Sequence, residues 1–95
     1  MRIIGRIPHP TLAITVFSND GRFPVQFETG GLSQIYRFRH SDTLRSLADV
    51  QRLVDEDFVA AVLEQFQTMR RVHARALSAL APPDDGPTDG LPTII

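Results

Sequence analysis

The chain has 95 residues, of which 42% are hydrophobic and 22% are charged, which suits one small globular domain. It contains no cysteine, and this excludes disulfides, thiolate metal sites and cysteine nucleophiles. No apolar run approaches the roughly 18–20 residues that span a bilayer, and no secretory signal pattern opens the chain. We therefore expect a soluble, cytoplasmic protein.

Charge divides the chain into two parts. All ten basic residues are arginine, which reflects either codon usage or a need for bidentate contacts to phosphate or carboxylate groups. Residues 1–81 carry ten arginines and eight acidic residues, a formal charge of +2, whereas residues 82–95 carry three aspartates and no base. We predict one folded domain over residues 1–81 and a flexible, acidic, Pro- and Gly-rich tail over residues 82–95.

The first half of the chain has the two-residue periodicity of strands. Side chains alternate over residues 12–17, 23–28 and 35–39, which predicts a three-stranded antiparallel meander. Residues 2–7 are rich in β-branched side chains but form a short run. They are interpreted either as a fourth strand or as an extended arm.

Two glycine-containing pairs separate these runs. Asp20-Gly21 is a strong signal for a hairpin turn, and Gly30-Gly31 predicts a second tight turn. Pro24 has no amide donor, so we expect it at a sheet edge or near the start of a strand.

The periodicity becomes helical after the third predicted strand. Apolar residues spaced by three predict a short helix over residues 43–54, and a long helix follows over residues 55–81. The long helix would extend roughly 40 Å, more than the ~17–27 Å of a five- to eight-residue strand. The expected fold is α+β: a meander, then a short and a long helix. Candidate caps for the short helix are Ser41, Asp42 and Thr43.

An unbroken 3-4 spacing of apolar residues runs along the long helix. One interpretation is that this stripe packs on the chain's own sheet, and the other is that its second half needs a partner. His73 in the stripe is either a pH-sensitive or register-setting polar residue or a tolerated one at the edge. The stripe comprises Val59, Val62, Phe66, Met69, His73, Ala76 and Leu80. The predicted protein interface comprises Phe66, Met69, Val72, His73, Ala76, Leu77 and Leu80.

Arginines of the predicted sheet suggest a second type of partner. Arg37 and Arg39 point to the same side of the third strand, and Arg22 and Phe17 are candidates for the same surface. Such a face is either an ordinary solvated surface or a site for single-stranded nucleic acid. A third hypothesis is that the end of the tail docks on a partner through Leu91, Ile94 and Ile95.

Residues with catalytic chemistry do not form a recognisable motif. His40-Ser41-Asp42 is better explained as a turn than as a catalytic triad. The three histidines lack metal-ligand spacing, and we predict no metal, no cofactor and no enzymatic activity. The favoured prediction is a small interaction or assembly module that forms a homodimer or docks on a larger protein. It is not expected to act at a membrane, and the alternative is single-stranded nucleic-acid binding.

Overall fold

The computed structural model describes residues 1–80. It has the predicted α+β architecture, and residues 2–7 form the fourth strand. The strands pair with their sequence neighbours in one antiparallel sheet. Ala81 and the predicted tail lie outside the described residues. The elements are β1 (Arg2–Ile7), β2 (Ala13–Ser18), β3 (Arg22–Thr29), β4 (Leu32–Arg39), α1 (Leu47–Leu53) and α2 (Glu56–Leu80).

Both predicted turns are two-residue hairpin turns. Asn19 and Arg22 exchange backbone hydrogen bonds of 3.0 and 3.1 Å across the β2–β3 turn. Asp20 and Gly21 between them have φ angles of 52° and 81°, the left-handed geometry of a type I′ turn. The β3–β4 turn repeats this geometry with its Gly-Gly pair, at 52° and 82°. Both turns match the right-handed twist of the strands they join.

Pro24 is the third residue of β3, near the strand start as expected, although β3 is a central strand. The β2–β3 ladder extends to the pair Val16–Val25 and resumes at Asn19–Arg22 with the same register. The interruption falls at Pro24, because proline has no amide to donate to β2. The ring therefore lies in the sheet without breaking the hairpin.

Helix α1 begins later than the sequence pattern indicated. Ser46 is the N-cap, and its Oγ accepts a 3.3 Å hydrogen bond from the Asp49 amide. The Asp49 carboxylate accepts a 2.8 Å bond from the Arg45 amide, and this bond lowers the pKa of that carboxyl below its usual value. The prediction of a cap at residues 41–43 is wrong, because backbone bonds between Ser41 and Leu44 form a separate tight turn there.

Helix α2 begins at an acidic cap and runs antiparallel to β4. The Asp55 carboxylate accepts a 2.9 Å hydrogen bond from the Phe58 amide, as an N-cap residue does. Phe58 packs near Tyr36, and Gln34, an earlier residue of β4, contacts Val62 one turn further along the helix. At ~1.5 Å per residue α2 is roughly 37 Å long and outlasts the strand it covers.

The core lies between one face of the sheet and both helices. We call this the inner face, and the opposite side the outer face. Tyr36 and Phe38 point inward, as predicted, and form an aromatic cluster with Phe27 and Phe58. The buried apolar residues are Leu12, Ile14, Val16, Phe23, Val25, Phe27, Val50, Val54, Val62 and Phe66.

Candidate interaction surfaces

The first half of α2 is attached to the sheet by packing and by one buried hydrogen bond. Val62 and Phe66 are buried against the inner face. Buried Gln34 donates a 3.0 Å bond from Nε2 to the Val62 carbonyl, and its Oε1 accepts a 2.5 Å bond from the Tyr36 hydroxyl. Because a buried amide is costly when unpaired, this pair of bonds favours one position of the helix on β4.

The second half of α2 leaves the sheet and is exposed along its length. We call residues 70–80 the α2 extension, and every residue in it is exposed. Val72, Leu77 and Leu80 retain 63%, 56% and 83% of their accessible surface. The segment is ~16 Å long at ~1.5 Å per residue. These three side chains therefore form an apolar strip, which no other part of residues 1–80 covers.

The seven predicted interface residues differ in their burial. Phe66 belongs to the protomer's own core, so its side chain is not available at the surface. Met69 is half-buried and packs at the boundary. The other five predicted residues lie on the α2 extension and are all exposed: Val72, His73, Ala76, Leu77 and Leu80. The structure thus places the stripe partly inside the fold and partly outside it.

Two of the three arginines of the α2 extension, Arg71 and Arg75, lie off this apolar strip, whereas Arg70 lies beside Leu77 at its edge. At about 100° per residue, Met69, Ala76 and Leu80 share one side of the helix. Arg71 and Arg75 lie on the other side, and Arg71 donates a 3.2 Å bond to Thr68. A partner could cover the apolar side without burying Arg71 or Arg75.

The outer face of the sheet carries most of the sheet's arginines. Arg22 and Arg39 occupy directly opposed positions on β3 and β4, and Arg37 lies opposite Pro24. Arg6 on β1 pairs with Thr15 and so projects to the same face. The three arginines predicted for nucleic-acid contact therefore share one surface.

Phe17 also lies on the outer face, as predicted. It pairs with Ile3 of β1, is half-buried and lies outside the core cluster. The β2–β3 register is the same on both sides of the interruption at Pro24, and this places Phe17 beside Pro24. An apolar row therefore crosses three strands and ends at Arg37 on the fourth.

Sequence reasoning missed several residues of these surfaces. The sequence does not identify Arg6 and Ile3, because its pattern allows residues 2–7 to be either a strand or an arm, and only the pairing of β1 with β2 fixes their direction. Exposed Ile35 on β4 belongs to the outer face through its pairing with Gln26. Strand periodicity alone indicates that Gln34 points inward, because it alternates with inward-facing residues.

The residues considered for catalysis serve local structure. The Ser41 hydroxyl accepts a 3.3 Å bond from the Thr43 amide, and the His40 ring lies 4.1 Å from the Phe23 ring. Among residues 1–80, no group of three or more His, Asp or Glu side chains is placed to hold a metal ion. Within the same part of the chain, neither helix has the length and apolarity to cross a membrane.

Comparisons with other proteins indicate no function, so a functional proposal rests on the fold and the surfaces. The sequence matches no family model, and neither the curated proteins nor the solved structures gave a significant match. The protein is thus described by its class: a small α+β protein whose meander is followed by a short helix and by a long helix that extends beyond the sheet.

Proposed function

We propose that this protein is a non-enzymatic interaction module that self-associates through the α2 extension. The observation that carries the proposal is the continuity of the apolar stripe. Phe66 and Met69 of this stripe pack on the sheet. The stripe continues through His73, Ala76 and Leu80, and nothing in residues 1–80 lies against these residues. Exposed apolar strips of this kind are typical of protein interfaces.

A second copy of the chain is the partner that suits this strip. The 3-4 spacing is that of helices that pair side by side, and an identical strip has the same length and width. A symmetric pair uses one surface twice, so one exposed strip suffices. Arg71 and Arg75 lie off the strip and stay in water, and Arg70 lies at its edge. A folded region of 80 residues is also small enough to gain stability from association.

The size of the strip sets the expected affinity. Stable interfaces bury about 800 Å² on each partner, and a helical segment ~16 Å long offers less. We therefore expect association in the micromolar range.

Sedimentation velocity across a concentration series tests the proposal. The wild type should shift from monomer to dimer as its concentration rises through the micromolar range. The double variant Leu77→Asp/Leu80→Asp should remain monomeric, because dimerisation would bury its new carboxylates without partners.

A matched control places the same two charges on the other side of the same segment. Ala74→Asp/Ser78→Asp adds two carboxylates to the α2 extension at positions about 140° and 180° from Met69. This variant should dimerise as the wild type does. Dimerisation lost equally in both double variants, or a wild type that is monomeric at all concentrations, contradicts the proposal.

A further inference from the structure

The outer face of the sheet is a separate surface with its own charge and chemistry. Arg6, Arg22, Arg37 and Arg39 come from three strands and are all exposed on it, whereas Glu28 is the single acidic residue among its strand positions. Both helices pack on the inner face, so neither covers these side chains. This excess of positive charge favours an anionic partner.

Two of these arginines are placed where their positive charges repel each other. Arg22 and Arg39 are directly opposed across β3 and β4, and like charges at such positions destabilise a sheet. The ion pair within residues 1–80 joins Arg52 to Asp49 and leaves the outer face unpaired. An anion bound between Arg22 and Arg39 would relieve their repulsion. Their planar guanidinium groups suit the oxygens of a phosphate.

The outer face also carries the apolar row, which a phosphate group alone would not contact. Ile3, Phe17 and Pro24, of which Pro24 is buried, lie in line across neighbouring strands about 4.8 Å apart, and Arg37 ends the row. Phe17 is half-buried, so part of its side chain remains accessible on the outer face. Bases stack on aromatic side chains only when they are unpaired, as in a single strand.

We propose that the outer face binds single-stranded nucleic acid, with the four arginines on the phosphates and Phe17 beneath a base. The site is independent of the self-association proposed above, because it lies on the sheet and not on the α2 extension. Loss of either property leaves the other testable.

Fluorescence anisotropy with a labelled oligothymidine of about 15 nucleotides tests this site. Four phosphate contacts predict a slope of log affinity against log salt near −3, so affinity should fall roughly 50-fold between about 50 and 200 mM salt. Arg37→Gln/Arg39→Gln should halve this slope. Phe17→Leu retains an apolar side chain but lacks the aromatic face, and it should weaken binding by about tenfold.

The control removes the same charge from another part of the molecule. Arg70→Gln/Arg75→Gln on the α2 extension should alter affinity less than threefold and leave the salt slope nearly unchanged. Leu77→Asp/Leu80→Asp, which prevents self-association, should still bind the oligonucleotide. Circular dichroism establishes that each variant is folded.

Three results would overturn the proposal. The first is no binding of oligothymidine by the folded wild type at low salt. The second is equal affinity for a duplex of similar length or for a polyglutamate peptide of similar charge, which would show that no unpaired base is read. The third is a larger loss of binding in Arg70→Gln/Arg75→Gln than in Arg37→Gln/Arg39→Gln.

Discussion

Residues 56–69 and residues 70–80 belong to one continuous helix with one apolar stripe, yet their surroundings differ completely. In the first part, Val62 and Phe66 are buried and Gln34 holds the helix backbone. In the second part every side chain is exposed, and within residues 1–80 this segment is stabilised by the hydrogen bonds of the helix itself. The same periodicity is therefore packed in one part and exposed in the other, because the sheet ends before the helix does. Substitutions in the two parts should therefore have unequal effects.

Truncation of the stripe should have the largest effect in the packed part. Phe66→Ala should lower the free energy of unfolding by about 3–5 kcal/mol, because it leaves a cavity in the core. Leu80→Ala should change it by less than about 0.5 kcal/mol at concentrations where the protein is monomeric. Urea denaturation of dilute protein measures both.

A milder variant covers the case in which Phe66→Ala does not fold. Phe66→Leu should cost about 1 kcal/mol, still more than Leu80→Ala. Equal losses at the two positions would show that the α2 extension is packed in the monomer, contrary to the structure.

Removal of the buried amide should give the next largest effect. Gln34→Leu leaves the Tyr36 hydroxyl without its acceptor, and we expect a loss of about 1–3 kcal/mol in unfolding free energy. Tyr36→Phe in the Gln34→Leu background removes the stranded hydroxyl and should recover part of this loss. Additive losses in the double variant would contradict the coupling between the two side chains.

The N-cap of α2 should contribute a smaller amount. Asp55→Ala removes the acceptor of the Phe58 amide and should cost about 1 kcal/mol. Asp55→Asn retains a cap and should cost less. Hydrogen exchange should show faster opening of the first turn of α2 in Asp55→Ala, while exchange in the α2 extension stays as in the wild type. Faster exchange throughout the helix would mean that the two parts open together.

The smallest effect concerns the first turn of α1, where the Asp49 side chain accepts a local backbone hydrogen bond. The Arg45 amide lowers the pKa of Asp49, so the charged carboxylate stabilises the folded state above the usual pKa of about 3.9. This contribution is lost as the pH falls through the pKa in the folded protein. The wild type should thus be slightly more stable than Asp49→Asn at pH 7, and the two should converge in acid. A thermal-melting series over pH measures this, and a constant difference at all pH values would contradict the role of the charge.

Local signals predicted much of the fold. Both hairpin turns follow from residue pairs that tolerate positive φ, and the meander and both helices follow from their periods of two and 3.6. The sequence does not locate the start of α1, because several polar residues before it could each accept a hydrogen bond from an amide of the first turn. The backbone turn between Ser41 and Leu44 excludes Ser41, Asp42 and Thr43 from this role, and Ser46 is the cap.

The candidate surfaces were predictable in part. The long helix outlasts the predicted strands, which predicts that interface residues Val72, Leu77 and Leu80 are exposed, and the structure exposes them. Phe66 belongs to the same periodic pattern but is buried, because periodicity does not indicate where a neighbouring sheet ends. Arg6 joined the outer face only once β1 paired with β2.

The sequence by itself determined both hairpin turns, strands β2 to β4 and the presence of both helices, because turns and amphipathic periods depend on residues close along the chain. Tertiary structure alone decided which residue of α2 is the last to be covered, on which face Arg6 lies, and that Gln34 bonds Val62, a residue 28 positions away. These outcomes depend on strand register and on the length of the sheet beneath the helix. Both are set by contacts between segments, and so no local pattern contains them.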